Sequence, residues 1–538
     1  LNLLHITGRA GDSNPRLGAG NNRGYVIGDI NGDGFDDVVI GAPYWSSRGD
    51  VYLFLGSGGF FPDFAPDYRQ LESADIHITG NEEDGLAGEA VAIGDLNGDG
   101  YLDIIIGASM VNQSAGAVYI LYGSPDSWPS SLSLSDWLSG RAMSCIEGDM
   151  ANDRFGHSLC CSDINADGFD DLVISAPHAS PENRNEAGIV HVVYGSPGIA
   201  CSRTTISNLP ADLRCTVIAG ESAGDLAGYS LACGDVNGDG YEDVLLGAMT
   251  GRPRGRTQAG KVHIVYGSAW LPGTNVNLIN PVGYEAETRI LGAAAGDHSG
   301  MSLACGDVDG DGFDDVLIGV PQSSPAPGKA AIVFGSMNLI YRAVDLADSH
   351  LHRTGWICGL DNDMQLGVSV GLTDLNGDGK EDLLLGASGA GNPMDSTITG
   401  AMYVVHGASG LARSTLYLDQ YGEQADLLVM GNNASALGEG VRGGGDFNRD
   451  GVADFIVGAP EYIYVDEYVI DQRSTVLMLN SARARCADTI TTATVIERHV
   501  PGIAPVRGAG GRLSPTVRAW MSYYGGGNQL GEESATTI

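Results

Sequence analysis

Apolar residues in this chain fall in short runs fenced by glycine. The stretches from Gly116 to Gly123, Gly188 to Gly195 and Gly260 to Gly267 enclose mainly β-branched and aromatic residues, which predicts strands. Ahead of each lies another apolar run that ends in a small-residue turn: Gly41-Ala42-Pro43, Gly107-Ala108-Ser109, Ser175-Ala176-Pro177, Gly247-Ala248-Met249, Gly319-Val320-Pro321, Gly386-Ala387-Ser388 and Gly458-Ala459-Pro460. A third run opens on the acidic segment Gly28-Asp29-Ile30-Asn31-Gly32-Asp33-Gly34-Phe35-Asp36-Asp37, and a more polar fourth ends like Ile76-His77-Ile78-Thr79-Gly80. Four short strands with a glycine boundary every few residues leave little room for helix, so the predicted class is all-β.

The acidic segment recurs with its first Asp at 29, 95, 163, 235, 307, 374 and 446, seven copies 66 to 72 residues apart. Antiparallel four-stranded units that cannot bury both faces alone must stack, and seven of them close into a β-propeller. An open solenoid is disfavoured, because seven copies suit a ring and neither end carries a polar cap. The chain also starts partway through a repeat. Leu4-His5-Ile6-Thr7-Gly8 has the fourth-strand pattern, while the seventh copy stops after its third strand at Val476 to Asn480. The N-terminal strand is therefore expected to complete the last blade and remove a sheet edge. Residues 1–480 are assigned to the propeller and 481–538 to a C-terminal extension.

Charge narrows the partners. The 538 residues carry 67 acidic and 29 basic side chains, a formal charge of −38, which excludes a basic nucleic-acid face. No apolar run is long enough to span a bilayer, so membrane insertion is not expected. With 43% hydrophobic residues the chain can bury a core.

In Asp29-x-Asn31-x-Asp33-Gly34-Phe35-x-Asp37 oxygen donors stand at positions 1, 3, 5 and 9, joined by the backbone carbonyl of position 7. Only oxygen is offered, which suits a hard cation with many flexible ligands, above all Ca²⁺; Gly at position 6 allows the sharp turn. The first nine positions resemble an EF-hand loop, but the twelfth-position Glu and flanking helices are missing, so a β-hairpin is the better setting. The predicted ligands are Asp29, Asn31, Asp33, Phe35 and Asp37 in the first copy, and Asp95, Asn97, Asp99, Tyr101 and Asp103 in the second. The third offers Asp163, Asn165, Asp167, Phe169 and Asp171, the fourth Asp235, Asn237, Asp239, Tyr241 and Asp243. Asp307, Asp309, Asp311, Phe313 and Asp315 form the fifth set and Asp374, Asn376, Asp378, Lys380 and Asp382 the sixth. The seventh is Asp446, Asn448, Asp450, Val452 and Asp454. Asp and Asn are ordinary turn formers, yet an acid at positions 1, 5 and 9 of all seven copies is not turn chemistry alone. About seven Ca²⁺ ions are expected; their +14 would bring −38 to −24. Asp309 replaces Asn at position 3 and should make the fifth site the most negative.

Phe155-Gly156 before a loop, the DxNxDGxxD loop and the Gly-Ala-Pro after it together resemble the FG-GAP repeat of integrin α-subunit propellers. The resemblance covers residues 1 to about 480. It implies a seven-bladed propeller with Ca²⁺ between strands 1 and 2 of a blade, in extracellular or cell-surface proteins of adhesion and recognition. Similar repeats accompany some secreted phospholipases and bacterial surface proteins. Integrin propellers usually load only their later blades, whereas all seven loops are complete here, and no inserted ligand-binding domain fits between the second and third loops. An integrin subunit proper is not expected.

Other features carry less. Arg48-Gly49-Asp50 spells a tripeptide that integrins recognise, but it aligns with the start of a third strand and reads as a coincidental turn. Asn112-Gln113-Ser114 and Asn433-Ala434-Ser435 are glycosylation sequons. Among nine cysteines, Cys161, Cys233 and Cys305 precede a loop's first Asp by two residues and read as small buried strand residues; Cys201 and Cys215 flank a loop and could bridge it. His191 and His263 read as half-exposed strand residues, and no nucleophile elbow, zinc signature or phosphate loop appears. The extension, with six Arg against four acids, reads as a weakly basic strap drawn to an acidic body, its own propeller or a neighbour's. The expected function is a non-catalytic, Ca²⁺-stabilised module for a protein or glycan ligand or for copies of itself, with a homo-oligomer or filament formed through the extension. The alternatives are a structural subunit of an extracellular fibre or coat, and the non-catalytic part of a secreted hydrolase.

Overall fold

The computed structural model describes residues 2–7, 24–57, 67–124, 128–135, 143–199, 203–279, 287–321, 327–340, 342–351, 353–391, 399–419, 424–431, 436–447, 449 and 451–459, and the strands 463–466, 469–472, 475–480, 493–495 and 517–521. These residues form an all-β propeller. Six sheets have five strands each, one has six, and a two-stranded hairpin stands apart.

The second repeat shows how a sheet is built. Its innermost strand Ala90–Gly94 pairs antiparallel with Asp103–Ala108, which pairs with Ala117–Leu121, which pairs with Met143–Glu147. Arg203–Thr205 then adds in parallel at the outer edge. The expectation of four strands per blade is corrected here. Four antiparallel strands are present, but a fifth arrives from the connection between the third and fourth strands of the next repeat. Ser131–Ser133 does this for the first sheet, and Asn275–Asn277 for the third. Three-residue polar segments such as Ser131-Leu132-Ser133 have no strand pattern of their own; the parallel neighbour supplies the pairing.

Stacking explains why the second strands read as unbroken apolar runs. Every residue of Asp103–Ala108 is buried, because both faces of the sheet are covered by neighbours. Ile104 and Ile106 pack with Val39, Val51 and Leu53 of the first sheet, while Ile105 joins Leu172 and Ile174 of the third. Such inter-sheet cores continue around the molecule, and the last joins Ile6, Phe447 and Ile456 to Val38, Ile40 and Phe54 of the first sheet. The ring is fastened by Asn2–Thr7, which pairs antiparallel with Thr475–Asn480 over six residues. The glycines of the repeat permit the close approach between sheets. A Cβ on Gly107 would lie 2.2 Å from the carbonyl oxygen of Gly156 in the next sheet, where no neighbour can yield.

The extension contributes to the same architecture. Val517–Met521 pairs in parallel with Leu427–Met430, at the place in its sheet that Thr415–Leu418 takes in the preceding one. Ala493–Val495 pairs on its far side. Among the described residues no helix is long and apolar enough to cross a membrane.

Candidate metal loops

Each acidic segment forms the hairpin between a sheet's first and second strands. In the first loop the Asp29 carboxylate accepts the amides of Asp33 at 3.0 Å and Gly34 at 2.7 Å. Asn31 accepts the Asp33 amide as well, at 2.9 Å, and Asp33 accepts that of Phe35 at 2.9 Å. The position-6 glycine sits in the left-handed region in all seven loops, with φ from 83 to 90°. A side chain there would be strained, which accounts for its invariance within the chain.

Position 9 is held differently. Asp37 is buried at the start of its strand, and its carboxylate accepts the Ile30 amide at 3.0 Å and the Gly56 amide at 2.8 Å. Asp103, Asp171, Asp243 and Asp315 repeat this, each bridging its own loop to the glycine that ends the third strand. Asp382 does so through Leu375 and Gly407. Burial pushes Asp37 and Asp103 up to about 7, and Asp171, Asp243 and Asp315 up to about 8, against the backbone hydrogen bonds that favour the charged form. Two amide bonds leave further lone pairs on each carboxylate. A buried anion in this position gains more from an adjacent cation than an exposed one does.

The structure thus brings the predicted ligands of six loops onto one short hairpin each. In the seventh, Asp446 accepts the Gly451 amide and Asp454 that of Phe447, while Asn448 and Asp450 lie outside the described residues. The fifth loop fits a cation best. Asp307, Asp309 and Asp315 bring one carboxylate oxygen each within 4.8 Å of one another, and Asp309 Oδ1 is buried with no hydrogen-bond partner. The Arg353 guanidinium bridges Asp309 and, at 2.7 Å, Asp311, so positive charge already occupies this cluster. In the fourth loop both side-chain polar atoms of Asn237 are buried and unpartnered. All donors are oxygens, as a hard cation requires.

Two roles go beyond the sequence reading. Position-7 side chains pack over the preceding loop: a Cβ on Gly32 would meet the Tyr101 ring at 2.7 Å, and one on Gly98 the Phe169 ring at 2.3 Å. Position 8 ties neighbouring loops together. Asp170 accepts the Asp95 amide at 2.8 Å and donates its own amide to the Asp95 carbonyl at 3.2 Å; Asp314 does the same to Asp235. The signal was available, since position 8 is acidic in five copies, as Asp36, Asp170, Glu242, Asp314 and Glu381.

Several smaller expectations are revised. His263 is fully buried against Glu287, not half-exposed, while His191 is half-buried and meets the Phe155 ring edge-on. Cys161, Cys233 and Cys305 sit on innermost strands but are only partly buried, because they line a cavity of about 250 Å³ among those strands. Asp50 of the Arg-Gly-Asp tripeptide is buried beside His77 and is not presented at the surface. Asn112 is exposed and donates to Glu147; Asn433 and Cys201 lie outside the described residues.

A ring of stacked antiparallel sheets with an acidic hairpin at the same place in each defines the chain as a β-propeller of repeated loops. The FG-GAP repeat model matches residues 23–54, 87–121, 155–193, 227–265, 299–333 and 366–405. Integrin alpha-PS2 of Drosophila melanogaster is 27% identical over 317 residues, covering 55% of this chain and 20% of that protein. Phosphatidylinositol-glycan-specific phospholipase D of Bos taurus is 31% identical over 197 residues, covering 36% of this chain and 22% of the relative. Integrin alpha-5 of Xenopus laevis is 33% identical over 169 residues, 28% of this chain and 14% of the relative. The chain spans about a fifth of the length of the first two. It is an FG-GAP-repeat β-propeller resembling that of integrin α-subunits.

Proposed function

We propose that the chain is a seven-bladed, Ca²⁺-rigidified propeller that serves outside the cell, secreted or on its surface, as a non-catalytic binding, adhesion or assembly module. The observation that carries the metal is the fifth loop, where Asp307, Asp309 and Asp315 each bring a carboxylate oxygen within 4.8 Å of the others and Asp309 Oδ1 is buried with no hydrogen-bond partner. Asp307, Asp309, Asp311 and Asp315 with the Phe313 carbonyl would hold the ion there, and the matching residues would hold it in the other loops. Bound Ca²⁺ would neutralise the buried position-9 carboxylate and so lock hairpin, third strand and neighbouring loop together. Resemblance to proteins named as integrin α-subunits supports a protein ligand as the partner. Calorimetric titration of the metal-stripped chain with Ca²⁺ tests the reading: several equivalents with a rise in melting temperature are expected, and no binding at millimolar Ca²⁺ would overturn it.

The similarity to phosphatidylinositol-glycan-specific phospholipase D favours a second reading, the non-catalytic propeller portion of a secreted hydrolase. Neither reading expects the chain alone to release a protein anchored through phosphatidylinositol-glycan, and release on incubation would overturn both and mark a catalytic chain.

A further inference from the structure

We propose that Cys160 and Cys233 form a disulfide that staples the third sheet to the fourth beside the central axis. Their sulfur atoms stand 2.8 Å apart across 73 residues of chain. That is within about 0.8 Å of the length of a disulfide bond. Cys160 lies on the innermost strand Leu159–Ser162 and Cys233 on the innermost strand Ser230–Gly234, and both pack against the core shared by these two sheets. Both also line the cavity among the innermost strands and are only partly buried, which gives a small oxidant access to them.

The alternation of a β-strand singles out this pair. Cys161 follows Cys160 and therefore faces the opposite side, where it packs against the core that holds Ala92 and Leu172. Cys305 packs against the core that holds Ala232 and Val316. At these two interfaces the residue corresponding to Cys160 is alanine, Ala92 in one and Ala232 in the other, so neither cysteine has a sulfur partner there. The same geometry argues against a thiolate metal site, since a third thiol would have to come from the far face of a sheet.

The bond would form by thiol–disulfide exchange with an external disulfide RSSR. The Cys160 thiolate attacks RSSR, giving a Cys160–SR mixed disulfide and RS⁻; the Cys233 thiolate then attacks the Cys160 sulfur and expels the second RS⁻. Two protein thiols are oxidised and one external disulfide is reduced to two thiols, the two expelled RS⁻ taking up the two protons that the cysteines release. The product restricts the unfolded chain between the two sheets and so adds stability that does not depend on metal.

The test uses the full chain, incubated with oxidised glutathione, blocked with N-ethylmaleimide and digested with trypsin without reduction. Residues 155–184 linked to 215–254, two hydrogen masses below the sum of the free peptides, are the expected product. Fragment ions should place the link at Cys160 and Cys233. A Cys161→Ala, Cys215→Ala variant, which leaves one cysteine in each peptide, should give the same link, and Cys160→Ala should abolish it. With Ca²⁺ saturating, dithiothreitol should lower the melting temperature of the oxidised chain and leave that of Cys160→Ala unchanged. Recovery of Cys160 and Cys233 as maleimide adducts after oxidation, or a link through Cys161 or Cys215 instead, would overturn the proposal.

Discussion

The amide of Asp446 donates to the carboxylate of Asp36 at 2.7 Å, across 410 residues of sequence. It is the same contact that Asp170 makes to Asp95 and Asp314 to Asp235, here made between the last loop and the first. The ring is thus closed twice, by the pairing of Asn2–Thr7 with Thr475–Asn480 and by a loop-to-loop hydrogen bond at the acidic rim. Burial raises the Asp36 carboxyl above its ordinary value, while the Asp446 amide pulls it down.

Removing this acceptor costs the Asp446 amide one hydrogen bond. The site is part-buried, so Asp36→Ala should destabilise the chain by about 0.5–1.5 kcal/mol, the usual net worth of one such bond. Asp36→Asn keeps a carbonyl oxygen for the amide and carries no charge to desolvate, so it should retain most of the stability. Denaturant unfolding of the two variants checks this, and equal losses would show that charge matters here, not the hydrogen bond.

Arg353 and a divalent ion compete for the same carboxylates. Its guanidinium bridges Asp309 and Asp311 while remaining 40% exposed, so the pair is worth no more than a surface salt bridge. Arg353→Ala should tighten the fifth site about two- to fivefold, the affinity equivalent of such a pair. Asp311→Ala should remove one Ca²⁺ equivalent and lower the melting temperature more than a surface Asp→Ala does. Titrations of both variants against the parent chain give the outcome; full stoichiometry in Asp311→Ala would remove it from the ligand set.

The buried position-9 carboxylates set a pH dependence for the metal-free chain. Asp37 and Asp103 titrate near 7 and Asp171, Asp243 and Asp315 near 8 in the folded state, against an ordinary value of 3.8. Folded values above unfolded ones mean that the native chain holds protons the unfolded chain has released. Stability is then lost as pH rises from about 4 to about 8. His406, raised by its hydrogen bond to Asp382, acts in the same direction; His191 and His298, lowered by burial, oppose it below about pH 6.5. In chelator the melting temperature should fall between pH 6.5 and 8. Ca²⁺, which favours the ionised carboxylates, should flatten or reverse that slope. A melting temperature that climbs with pH in chelator would contradict the burial of these groups.

Repetition made the strands and loops readable. Asp103–Ala108 announced itself because a strand covered on both faces needs apolar residues throughout, and the acidic hairpin because seven copies share one spacing. Contacts between repeats left weaker traces. Asp36 stands beside Asp37 and reads as one more acid of the loop, although it serves the neighbouring sheet. His263 takes the strand position of Tyr119 and reads as half-exposed on sequence alone, and it is Glu287, 24 residues on, that makes its burial tolerable. Ser131–Ser133 could not be read as a strand, since its pairing belongs to the sheet of the previous repeat.

The connection between third and fourth strands gives each preceding sheet its outer strand, and this assigns a role to the extension. In the seventh repeat the fourth strand is Asn2–Thr7, so the chain beyond Thr475–Asn480 stands where that connection runs in every other repeat. Val517–Met521 accordingly pairs with Leu427–Met430 of its own chain and covers an edge whose side chains are mostly buried and apolar. A neighbour is not required to explain the strap. Deleting residues 481–538 would expose the backbone donors and acceptors of Leu427–Met430, the kind of edge that recruits a second chain. The full chain should scatter light as a monomer, and the truncated chain should associate as its concentration rises and melt at a lower temperature. The reverse pattern, a full-length oligomer that truncation converts to a stable monomer, would show that the strap reaches a neighbouring propeller and not its own.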